Sequence, residues 1–203
     1  MQKFMARAVL VAALTIAPSG VILATSTPAG ATTGIPVNYL VNASTTLAKL
    51  HQTVVVPQGT FTGSIQIPSG ALQGVLALPP ATTTVKLAGI GLANATFQMT
   101  ETQPVTGSVN FSTFVVTATA TFNVLIKSVD PLGLPINLVG NSCGTSKPVS
   151  VTFTGKASLT SASAFTGTYT LPPLSHCGLL TTALNLVIPG PGNTFSATFT
   201  PAH

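Results

Sequence analysis

Apolar and polar residues alternate with period two along most of this chain. In the segment SVNFSTFVVTATATFNVLIKS, residues 108–128, Phe114, Val116, Ala118, Ala120, Phe122, Val124 and Ile126 fall on one face. Thr117, Thr119, Thr121, Asn123 and Lys127 fall on the other. A half-buried strand has this pattern. The same alternation marks Phe61/Gly63/Ile65/Ile67, Val149/Val151/Phe153, Phe165/Gly167/Tyr169/Leu171 and Phe195/Ala197/Phe199. Turn signals separate these runs at Pro57-Gln58-Gly59, Pro68-Ser69-Gly70, Pro79-Pro80, Asp130-Pro131, Pro172-Pro173 and Pro189 to Asn193. Strands punctuated at such intervals predict an all-β fold, an antiparallel sandwich or a sandwich-like barrel.

One segment departs from period two. Leu179, Leu180, Ala183, Leu184 and Val187 recur at helical spacing, and Pro189-Gly190 stops the run. The pattern predicts one short amphipathic helix over residues 179–188, with its apolar face on the sheet. Contact with a membrane is the competing reading of such a helix, and the absence of any basic residue on it argues for core packing. The octets FTGSIQIP (61–68) and FTGTYTLP (165–172) match in character, but their flanks do not continue the match, so they read as two similar strands.

The N-terminus changes the picture of where the protein works. Lys3 and Arg7 precede an apolar run from Ala8 to Ala24, and small residues follow up to Ala31. This is the plan of a secretory signal peptide, so residues 1–31 are expected to be removed after Ala31 and residues 32–203 to form one β-rich domain. No later segment reaches the roughly 18 apolar residues of a spanning helix. The expected location is therefore extracellular or within the cell envelope, with no transmembrane segment after cleavage.

Charge is scarce. The chain has seven basic and two acidic residues and a formal net charge of +5; loss of Lys3 and Arg7 leaves +3. The remaining cations are isolated lysines, and nucleic-acid binding needs grouped Lys and Arg, so it is excluded as an expectation. Asn42, Asn94 and Asn110 open N-x-S/T sequons, which carry sugar only in a glycosylating secretory pathway.

Few residues could carry chemistry. Glu101 and Asp130 are the acids of a general acid–base pair if the fold brings them together. Gly140 to Gly144, GNSCG, fits the G-x-S-x-G pattern with Ser142 as nucleophile, but a turn and strand follow where a helix is required, and no acid occurs after Asp130. A rearranged triad would need Ser142, His176 and Asp130. Cys143 and Cys177 lack the spacing of a metal site, and no metal or other cofactor is expected. In an exported chain two cysteines beside glycines pair, so Cys143–Cys177 is the expected disulfide, joining the loop after a strand at INLVG (136–140) to the start of the helix.

The C-terminal third carries a C-x-T-x-x-P element at Cys143, Thr145 and Pro148. A second element follows, with Gly167, Tyr169, Leu171, Pro172 and Pro173, then Cys177, Gly178, Leu180 and Thr181, then Leu184, Asn185 and Gly190 to Thr194. In these positions the chain resembles a group of exported β-rich actinobacterial proteins to which no activity attaches. The resemblance implies export, the disulfide and a β-rich fold, and no catalytic residue. It also implies scaffold roles: a buried Tyr169 ring with a bonded hydroxyl, and a sharp turn at Gly190 to Asn193.

The function expected from these observations is a non-catalytic secreted or cell-envelope β protein that binds an apolar or envelope component, such as a lipid, or serves a surface role. The alternatives are an oligomeric β-barrel envelope pore and a secreted hydrolase using Ser142 or the Glu101/Asp130 pair.

Overall fold

A computed structural model describes residues 33–202 apart from 88, 89, 133 and 135. The expected signal peptide, residues 1–31, lies outside the described residues. Eleven strands form: β1 (Thr33–Leu47), β2 (Gln52–Ile67), β3 (Ala71–Ala77), β4 (Ala81–Leu87), β5 (Ile90–Val109), β6 (Val115–Pro131), β7 (Gly144–Thr145), β8 (Val149–Lys156), β9 (Ser163–Leu171), β10 (Leu174–Ser175) and β11 (Gly190–Pro201). A 3-10 turn (Gly178–Leu180) leads into the helix α1 (Thr181–Val187).

The sheet closes on itself. In the order β1-β2-β3-β5-β6-β8-β9-β11 every neighbour is antiparallel, and β11 returns to β1 through Val41↔Phe199 and Thr45↔Phe195. Of the two expected all-β forms, the chain therefore adopts the barrel, with eight strands in sequence order. β3 and β4 lie along β5 as one strand interrupted near Pro79-Pro80: Gly74 faces Val105, and Ala81 faces Phe97. The short β7 and β10 extend the sheet beside β6.

Inward positions are apolar and outward positions carry hydroxyls. Phe199 is the hub of an aromatic cluster, with ring centroids 5.0 Å from Phe165, 5.9 Å from Phe61 and 6.3 Å from Phe153. Space for these rings comes partly from glycine: a Cβ on Gly74 would stand 2.5 Å from the Phe61 ring. On the outer face of β6 and β8, Thr117 bonds Thr154 (3.3 Å), Thr119 bonds Thr152 (2.9 Å) and Thr121 bonds Ser150 (3.1 Å). Cross-strand hydroxyl pairs of this kind add to sheet stability.

Several sequence expectations shift. Pro57-Gln58-Gly59 lies inside β2, where the register against β1 slips between Val41 and Ala43; a bulge, not a turn, accommodates the proline. Asp130-Pro131 ends β6 as expected, and the Pro131 carbonyl accepts from Leu134 N–H (3.0 Å) in the turn that follows. Phe114 is not inward on the strand: it is exposed at φ +57° in the β5–β6 turn, where the Asn110 carbonyl accepts from its N–H at 2.7 Å. Residues 136–140 form no strand. Their loop is held to β6 by Asn137, whose Oδ1 accepts from Val129 N–H (3.1 Å) and whose Nδ2 donates to the Lys127 carbonyl (3.1 Å).

Candidate functional site

The end of the barrel that receives the β1–β2 turn, the tops of β4, β5 and β6, and α1 carries an apolar concavity built against the core. α1 lies here because three side chains fix it. Asn185 Oδ1 accepts from Leu174 N–H (2.7 Å) and its Nδ2 donates to the Leu174 carbonyl (2.9 Å), tying the helix to β10. Thr181 Oγ1 donates to the Gly178 carbonyl (2.8 Å) and accepts from Cys177 N–H (3.2 Å) at the start of the helix. At its end, Lys49 Nζ donates to the Leu186 carbonyl (3.2 Å), where a cation also meets the negative pole of the helix.

The helix turns Leu180, Leu184 and Val187 toward the core, and Ile188 just beyond it is buried. Leu179, expected on this face, is instead fully exposed, because residues 178–180 wind as a 3-10 turn that rotates it outward. Between α1 and β4–β5–β6 runs an apolar groove of about 450 Å³, walled by Leu50, Val85, Ala93, Leu138, Leu184 and Val187. Its floor, made by Leu47, Val54, Phe97, Ile126 and Ile188, is also the ceiling of an apolar cavity of about 60 Å³ inside the barrel.

Two hydroxyls reach that inner cavity. Tyr169 and Thr45 bond at 2.7 Å, and Thr45 Oγ1 donates to the Thr194 carbonyl at 2.9 Å, so the phenol supplies the proton of the pair. Burial pushes the Tyr169 phenol above its ordinary range. The ring is partly buried against the core and its hydroxyl is bonded. Beyond the aromatic cluster lie a second apolar cavity of about 50 Å³ and, at the opposite end, a groove of about 380 Å³ beside Phe111, Phe114 and Leu159.

Of the residues singled out in the sequence, Cys143 and Cys177 are brought together. They form a disulfide with Cα atoms 4.3 Å apart, and both are buried. Ser142 and His176 flank its two halves on the surface, and His176 Nδ1 bonds Ser175 Oγ at 3.1 Å. Asp130 Oδ2 accepts from Ser128 Oγ at 2.8 Å. Glu101 Oε1 accepts from Leu76 N–H at 3.1 Å, serving the β3–β5 ladder where β5 bulges. The two acids are not paired: Asp130 stands opposite Asn94, seven residues up β5 from Glu101, or about 20 Å at strand rise. Glycosidic acid–base pairs need about 5–9.5 Å. Among the described residues no group of three or more His, Cys, Asp or Glu side chains could hold a metal ion, and no helix is long and apolar enough to cross a membrane.

No family model, curated protein or solved structure matches the chain. The groove itself escaped sequence reading because it is assembled from β1, β2, β4, β5, β6 and α1, and only the apolar face of the helix hinted at it.

Proposed function

We propose that this is an exported, non-catalytic barrel that binds an apolar, lipid-like molecule in the groove beneath α1. The observation that carries the reading is an apolar groove of about 450 Å³ separated from a cavity in the barrel interior only by the side chains of Leu47, Val54, Phe97, Ile126 and Ile188. That volume falls within the roughly 300–1,000 Å³ of small-molecule sites, which are apolar with few polar groups. An eight-stranded barrel leaves an interior that side chains fill or that holds one small ligand, so the bulk of the guest sits in the groove and at most its tip enters the cavity. The disulfide beside the helix supports an oxidising compartment outside the cytoplasm.

The alternatives have less support. A spanning barrel carries an apolar outer band around a polar interior, whereas here Phe61, Phe122, Phe153, Phe165, Phe195 and Phe199 are buried inside and threonine ladders line the outside of β6 and β8. A hydrolase using Glu101 and Asp130 would need two acids that converge, and the register of β5 and β6 separates them.

Binding is tested by titrating the purified protein with a dansylated long-chain fatty acid and comparing wild type with Ala93→Phe, which projects a ring into the groove. The expected result is saturable uptake, weakened about tenfold or more in the variant, as for a filled pocket of this kind. Absence of uptake, or uptake indifferent to Ala93→Phe, refutes the reading.

A further inference from the structure

Most of the large apolar side chains left exposed by this fold lie toward the two ends of the barrel; Val55 of β2 and Val75 of β3 are also exposed, on a wall that otherwise carries hydroxyl ladders. At the helix-capped end, Leu179 in the 3-10 turn is fully exposed and Leu186 on α1 is 71 % exposed. Leu92 on β5 lines the same groove and is exposed, and its carbonyl accepts from the N–H of Leu132 (3.2 Å) in the loop after β6, where Leu132, Leu134 and Ile136 are exposed too. The helix carries no cation of its own, which in the sequence argues against a membrane role. The fold supplies what the helix lacks. Lys49 reaches from the β1–β2 turn and donates to the Leu186 carbonyl at 3.2 Å, so a cation sits beside the exposed leucine. Lys86, the penultimate residue of β4, lines the groove mouth and is exposed. The acid at this end, Asp130, accepts from Ser128 Oγ at 2.8 Å.

We infer that the helix-capped end docks on an anionic lipid surface, with Leu179 and Leu186 in the acyl boundary and Lys49 and Lys86 among the headgroups. Interfacial binding of this kind scales with the apolar area buried plus the attraction of lysines to anionic lipid. The groove mouth then faces the membrane. This goes beyond the ligand reading and is measured separately from it: docking requires no guest in the groove.

Flotation with vesicles of phosphatidylglycerol and phosphatidylcholine, against vesicles of phosphatidylcholine alone, tests the inference. The expected result is binding to the anionic vesicles that Leu179→Ser/Leu186→Ser weakens about tenfold or more. Lys49→Gln and Lys86→Gln should each weaken it about fivefold, with a shallower salt dependence. Glutamine at position 49 keeps a donor for the Leu186 carbonyl, and all four side chains are exposed, so circular dichroism should be unchanged. Phe111→Ser/Phe114→Ser, at the far end, should leave binding within about twofold of wild type, because those rings lie outside the docked face. No binding to anionic vesicles, equal binding to both compositions, or insensitivity to the leucine changes overturns the inference. Loss of binding in the phenylalanine variant overturns it too, since the contact would then be at the opposite end. Failure of fatty-acid uptake with vesicle binding intact would instead reject the ligand reading alone.

Discussion

Asn193 is almost completely buried, and its amide makes the bonds a peptide group would make: Oδ1 accepts from Ala48 N–H (3.0 Å) and Nδ2 donates to the Gly190 carbonyl (2.8 Å). Asn137, Asn185 and Gln52 act in the same way wherever a loop, helix or strand end leaves backbone groups without a ladder. Burying those groups unbonded would cost on the order of 1–3 kcal/mol each, and among the described residues no buried side-chain nitrogen or oxygen lacks a partner. None of this is visible in a period-two pattern, which separates apolar from polar but says nothing of which amide turns inward. Tyr169 leads to a prediction at the same scale. Its phenol, like that of Tyr39, is held above the ordinary value near 10 by burial, so the folded barrel keeps a proton that the unfolded chain releases. Stability from this source is complete below about pH 10 and is lost as the pH rises through the folded value. Thermal melts from pH 8 to 11 should show a fall in Tm that Tyr169→Phe makes shallower, while the variant is about 1 kcal/mol less stable at neutral pH for want of its bond to Thr45. An equally steep fall in the variant would contradict this.

At the scale of elements, the strands were legible and their ends were not. Alternation from Val116 to Ile126 marked β6 correctly because each inward residue meets the core, but it ran one step too far, into Phe114, where Asn110 had already turned the chain. Proline at position 57 reads as a turn in the sequence, yet a bulge absorbs it without ending β2. The helix was legible from Leu180, Leu184 and Val187, and Leu179 was misassigned because the first turn is 3-10. The pairing of Cys143 with Cys177 could be read from export and number alone. It closes a separation of 34 residues between the β6–β7 connection and the start of the helical segment. Cys143→Ala/Cys177→Ala should cost about 3–4 kcal/mol in urea denaturation by the chain-entropy account. Because the bond anchors the helix over the groove, the same variant should also take up the dansylated fatty acid less tightly. A variant as stable as wild type would place the anchoring of α1 in Asn185 and Thr181 instead.

On the scale of the whole molecule, closure makes the barrel one cooperative body. The groove was illegible in the sequence for the same reason: its walls are residues far apart in the chain that only closure assembles. Phe199 lies on the last strand and touches rings from β2, β8 and β9, so it couples the seam between β11 and β1 to the rest of the ring. Phe199→Ala should cost about 3–5 kcal/mol yet leave a single transition, with far-ultraviolet dichroism and tyrosine fluorescence coincident. Two separated transitions would mean that half of the barrel folds alone. The strand order also terminates in two places, at β10 beside the ring and at β4, whose free edge faces β2. At the first, Asn185 occupies both the N–H and the carbonyl of Leu174. At the second, Gln52 donates to the Thr84 carbonyl and accepts from Lys86 N–H at 3.1 Å. An unsealed edge on a chain this rich in valine, threonine and phenylalanine would be a template for adding strands from other copies. With so little charge to keep copies apart, two side-chain amides cover the strand edges that could otherwise add strands from other copies.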